Sequence, residues 1–134
     1  MKTYILDTNC ILRYLLDDIK LQADKVGELF NKAKKEKLEV VLPQVLVFEV
    51  QFVLSSYYLQ KRMNIADRIE ILISLDFLKA ESQDIFAKAL KFYRENNISF
   101  VDSFLLSKCI IDKIDLFTFD KKLKNLFKKY KGRD

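Results

Sequence analysis

The sequence predicts an α/β fold, a three-layer α/β/α arrangement around a short, mostly parallel central sheet, in one domain over residues 1–134. Three observations predict it. Short apolar, β-branched runs alternate with longer segments of helical period, the pattern of a parallel sheet covered by helices. The chain is 50% hydrophobic and 32% charged with two glycines and one proline, a composition that excludes disorder and a Gly-rich all-β design. At 134 residues it can bury roughly two thirds of its unfolded surface in a single core.

Residues 2 to 6 read as a short buried strand, and Asn9 opens a helix through Asp17. Asp7 therefore falls between a strand's C-terminal end and a helix N-terminus, where open α/β sheets place their sites. Residues 20 to 37 form an amphipathic helix, with Leu21, Val26, Leu29, Phe30 and Ala33 opposite a lysine-rich face. Leu38 to Leu42 is a β-branched strand closed by Pro43. Gln44 to Gln60 is apolar around nearly its whole circumference and predicts a central helix with Glu49 buried in it. Asn64 is placed to cap a helix ending near Leu75, and Ser82 to cap another through Asn96. From Phe100 or Val101 to Lys113 the pattern is again helical, with Asp102 in the first turn, where the helix dipole favours an anion. Leu116 to Phe119 reads as the last buried strand, followed by a basic segment over residues 121–134.

Composition removes several mechanisms. The chain has no histidine, which excludes His-dependent general base chemistry and a Ser-His-Asp hydrolase, and no phosphate-cradling glycine loop. The two cysteines, Cys10 and Cys109, lie in apolar segments without metal-ligand spacing and read as reduced core thiols, which points to a cytoplasmic setting. No run approaches the roughly 18 apolar residues of a membrane span. Residues 121–134 hold seven Lys or Arg and one Asp, a net of +6 against +5 for the whole chain, so the remainder carries −1. The basic character is confined to this segment, which is either a solvated helix or a strip that attracts nucleic-acid phosphates.

What remains is oxygen chemistry. Asp7, Glu49, Asp102 and Asp120 each interrupt an apolar run, and no Lys or Arg stands within two residues of the first three. A buried carboxylate costs several kcal/mol unless a cation compensates it. Two carboxylates about 4 Å apart repel by about 4 kcal/mol at an effective dielectric near 20, so a cluster of acids captures cations. All-oxygen sites suit Mg²⁺ or Mn²⁺ better than Zn²⁺. Metal ions so held can activate a water for attack on a phosphodiester and stabilise the leaving oxygen. Asn9 is placed to orient Asp7, and Thr118 to hydrogen-bond the chain carrying Asp120. Each acid also has a plain structural role open to it: Asp7 and Asp120 as helix caps, Asp102 as a dipole partner. Asp17-Asp18 reads as a solvated loop.

The order of Tyr4-Ile-Leu-Asp7-Thr-Asn9-Cys-Ile-Leu-Arg13, Phe48-Glu49-Val50, Phe100-Val-Asp102-Ser-Phe-Leu-Leu and Leu116-Phe-Thr118-Phe-Asp120-Lys-Lys-Leu resembles the PIN-domain ribonucleases, and within them the VapC-like toxins of prokaryotic toxin-antitoxin pairs. The resemblance spans nearly the whole chain. It implies catalytic, metal-binding acids at Asp7, Glu49, Asp102 and Asp120, supported by Asn9 and Thr118. It further implies metal-dependent endonuclease action on RNA, a homodimer, and inhibition by a cognate antitoxin. Ser103 departs from the small apolar residue common after the third acid, a change expected to alter local water structure. Two other readings compete. A phosphatase with Asp7 as nucleophile wants a second Asp two residues on, where this chain has Asn9. A non-catalytic nucleic-acid-binding or interaction module would use the acids only to hold a structural cation or cap helices.

Overall fold

The fold is taken from a computed structural model that describes residues 1–133. The chain divides into two compact units, Met1–Glu81 and a second beginning at Ser82.

The N-terminal unit carries the sheet. Strand β1 (Thr3–Ile5) leads into helix α1 (Thr8–Leu16) and helix α2 (Lys20–Lys34); β2 (Glu39–Leu42) leads into α3 (Gln44–Ser56) and α4 (Arg62–Ile73); β3 (Leu78–Ala80) closes the unit. The strands lie in the order β1-β2-β3, both pairings parallel, with Tyr4 opposite Val40 and Val41 opposite Lys79. The expected α/β class with a short parallel sheet flanked by helices is the one observed. β1 and β2 are each followed by two helices before the next strand, because a parallel pairing needs a long crossover. The core is Ile11 and Leu12 from α1, Val26 and Phe30 from α2, Val40 and Leu42 from β2, and Ile65, Ile69 and Leu72 from α4, all buried.

The second unit is helical: α5 (Gln83–Glu95), α6 (Phe100–Asp112) and α7 (Lys121–Tyr130). Phe86 stacks on Phe100 with ring centroids 6.0 Å apart. Phe92, Ile98, Leu106, Ile110 and Leu123 form a buried cluster against which Leu116, Leu126, Phe127 and Tyr130 pack.

Several sequence expectations are corrected. The strand expected at Leu116–Phe119 does not form; the described residues of its own unit include no strand to pair with, and β propensity needs a partner to act on. The third strand is instead Leu78–Ala80, whose Leu-Lys-Ala sequence carries little β signal. Residues 2 to 6 are not a buried strand: only 3 to 5 are in the ladder, with Ile5 exposed. Asn64 does not cap α4, which starts two residues earlier, after Lys61. Ser82 does precede α5 but in a left-handed conformation, without a side-chain cap bond. No helix among the described residues is long and apolar enough to cross a membrane.

Candidate active site

In the N-terminal unit, Asp7 follows β1 and Glu49 lies on the helix that follows β2. Asp7 lies in the short link from β1 to α1. Its Oδ1 accepts a hydrogen bond from the Cys10 backbone N–H at 2.9 Å, which caps α1. The Cys10 bonds, helped by the Asn9 backbone N–H, hold the Asp7 carboxyl below its usual range. The reciprocal effect falls on Cys10: burial raises its thiol first, and the Asp7 charge raises it further. The contribution of Asn9 is thus a backbone donor, and its side chain is exposed.

Glu49 lies on α3. The buried stripe of this helix is Val47, Val50 and Leu54, and at roughly 100° per residue Glu49 projects from the opposite side. It is exposed, between Val45 at 65% and Phe52 at 60% exposure. The expectation of burial was wrong because an all-round apolar sequence still packs only one stripe of this helix. Neither a cap nor an ion pair engages Glu49 within its own unit.

Two residues outside the predicted set shape this end of the unit. Glu81, just past β3, accepts from the Gln44 backbone N–H at 2.9 Å and so caps α3, which Pro43 cannot do with its side chain. Arg13, only 12% exposed, donates to the Tyr58 hydroxyl at 2.6 Å and pairs with Asp18 at 3.4 Å. Asp18 is therefore half of an ion pair, not part of a merely solvated loop. Arg13 had no signal beyond being a lone cation in an apolar helix, which demands a partner.

In the second unit, the Ser99 hydroxyl caps α6 by accepting from the Asp102 N–H at 3.0 Å. Asp102 is half-buried in that first turn. Asp120 caps α7 through a 2.8 Å bond from the Leu123 N–H to its Oδ1, and the Thr118 hydroxyl accepts from the Asp120 N–H at 3.1 Å. The supporting contact expected of Thr118 is present. Lys122 Nζ donates to the Asn97 carbonyl at 3.3 Å, which brings the first turn of α7 beside the turn entering α6. At their far ends, Cys109, Ile110 and Lys113 share a groove of about 400 Å³ with Phe127 and Lys131. The two helices therefore run in the same direction, and Asp102 and Asp120 belong to the same end. Ser103 is buried, its hydroxyl bonded to the Ser99 carbonyl at 2.8 Å. Its hydroxyl is thus engaged within the first turn of its own helix.

Each unit thus carries two of the four acids. Among the described residues no group of three or more His, Cys, Asp or Glu is gathered so as to hold a metal ion. The donors are oxygen only, and Asp7, Glu49 and Asp120 are exposed; carboxylates of this kind suit a hard divalent cation.

A family model for the PIN domain matches residues 4–129, a span that includes all four acids. The chain belongs to the PIN domain family. No curated protein and no solved structure matched in the same comparisons. PIN domains are generally nucleases, and typically use divalent metals. In this PIN domain, Asp7 and Asp120 play the same local part: each caps the next helix by turning one carboxylate oxygen to a backbone N–H.

Proposed function

We propose that this PIN domain is a Mg²⁺- or Mn²⁺-dependent endoribonuclease acting as the toxin of a toxin-antitoxin pair. The observation that supports it best is that the family match encloses Asp7, Glu49, Asp102 and Asp120 while three of the four remain open to solvent. The metal ligands we assign are carboxylates drawn from Asp7, Glu49, Asp102 and Asp120. When bound, the ion would supply an ionised water for attack on the RNA phosphodiester and neutralise the charge that develops there. The chain's own part is positional. The Cys10 and Leu123 N–H groups each fix one oxygen of Asp7 and Asp120, Thr118 fixes the backbone at Asp120, and Asp102 is set in the first turn of α6. With no histidine in the chain, the reading assigns proton abstraction to no protein side chain. A homodimer, a cognate antitoxin that blocks the acids, and a cytoplasmic setting in which Cys10 and Cys109 stay reduced complete the proposal.

The test is cleavage of a single-stranded RNA with Mn²⁺, with and without EDTA. Internal cuts that require the metal and disappear in Asp102→Asn support the reading. If added metal leaves both RNA and melting temperature unchanged, the acids are caps and the chain is a binding module. Growth arrest on expression, relieved by the product of a neighbouring gene, tests the toxin role.

A further inference from the structure

Helix α7 is held by one face only. Leu123, Leu126, Phe127 and Tyr130 pack onto the cluster formed by Phe92, Ile98, Leu106 and Ile110, and Tyr130 meets Phe92 edge-on with ring centroids 5.1 Å apart. The other face is lysine. Its cations are not equivalent: Lys122 is committed to the Asn97 carbonyl, while Lys129 and Lys131 lie over the rings of Tyr130 and Phe127 at 5.2 Å and 6.0 Å.

Lys121, Lys124 and Lys128 are different. They are exposed, and among the described residues of their own unit no hydrogen bond, ion pair or ring contact engages their ammonium groups. At roughly 100° per residue they fall within about 60° of one another, on the side of the helix facing away from the apolar anchors. No acid occurs within α7 to neutralise them. They span about 10 Å along the helix at 1.5 Å per residue.

We infer that Lys121, Lys124 and Lys128 form a phosphate track for a single strand of RNA. The track begins one residue beyond Asp120, so a strand lying on it enters or leaves at the end of the α6-α7 pair that carries Asp102 and Asp120. It deepens the ribonuclease reading by naming where that substrate is held. Polyphosphate recognition accounts for three like charges kept in a row, which on an isolated surface helix only repel one another. The track reads charge and strand geometry, not bases, and so gives affinity without sequence preference.

The experiment uses the full chain in EDTA, where no cutting occurs, and a labelled 20-nucleotide oligouridylate, with binding measured at several salt concentrations. The variant K121Q/K124Q/K128Q is compared with K25Q/K32Q/K35Q, which removes the same charge from the outer face of α2 and its end. The track predicts that the first variant weakens binding at least tenfold and flattens the log-log salt slope by about 2, from about 0.7 per phosphate contact, while the control stays within about twofold. Equal losses in the two variants, or an unchanged slope in the first, overturn it. So does a wild-type chain that binds polyglutamate but not the RNA, which assigns the lysines to an acidic protein. The two proposals fail separately: metal-dependent cutting with lysine-independent binding removes the track alone, and lysine-dependent binding without cutting removes the nuclease alone.

Discussion

The two units solve the same problem, holding a pair of carboxylates in water, with different means. In the N-terminal unit a parallel sheet delivers Asp7, and a helix whose inner stripe is Val47, Val50 and Leu54 carries Glu49 on its outer side. Among the described residues of the second unit no strand is present, and two helices running the same way present Asp102 and Asp120 at a common end. In each pair one member caps a helix and the other does not. Asp7 and Asp120 accept from the backbone three residues on, at 2.9 Å and 2.8 Å; the Glu49 and Asp102 carboxylates cap no helix. The difference separates residues whose presence stability explains from residues whose presence it does not. Glu49 is the clearest of the second kind.

The largest effect should follow from that separation. Glu49→Gln and Asp102→Asn are expected to lower metal-dependent RNA cleavage by about a hundredfold or more, if each supplies a metal ligand, while urea midpoints stay near wild type. A midpoint that falls as far as activity does would make Glu49 structural and break the contrast.

A moderate effect is expected at the caps. Asp7→Ala and Asp120→Ala should each cost about 1 kcal/mol by urea unfolding at neutral pH, as lost N-caps do, against little for Glu49→Ala. The sign with pH follows from Asp7. Its folded pKa lies below the ordinary value, so its contribution is full above the ordinary carboxylate range and is lost as pH falls through the depressed value. The gap between wild type and Asp7→Asn should therefore narrow on acidification. A gap that widens would contradict the hydrogen-bond assignment.

The smallest effect tests the link between Asp7 and its neighbour. Burial raises both thiols, and the Asp7 charge adds to that at Cys10. Iodoacetamide at mildly alkaline pH should label Cys10 before the more buried Cys109, and Asp7→Asn should speed Cys10 labelling severalfold. An unchanged rate at Cys10 would mean the two groups are uncoupled.

The sequence by itself determined the class of fold, the order and extents of most helices, and the positions of the acids. It could do so because apolar periodicity and cap chemistry are local. Asp7 after a β run and before a helix reads as a cap from its neighbours alone, and so does Asp120 before the lysine helix. What depended on partners was not legible. Leu116–Phe119 has every strand feature except a strand beside it, whereas Leu78–Ala80 has few of them and is paired to β2. Glu49 sits in a run apolar on all sides, and only packing selects which stripe is buried. Arg13 acquires its meaning from Tyr58, forty-five residues away. Propensity is written residue by residue, but burial and pairing are properties of surfaces that exist only once the chain has folded, and these decided which carboxylates meet water.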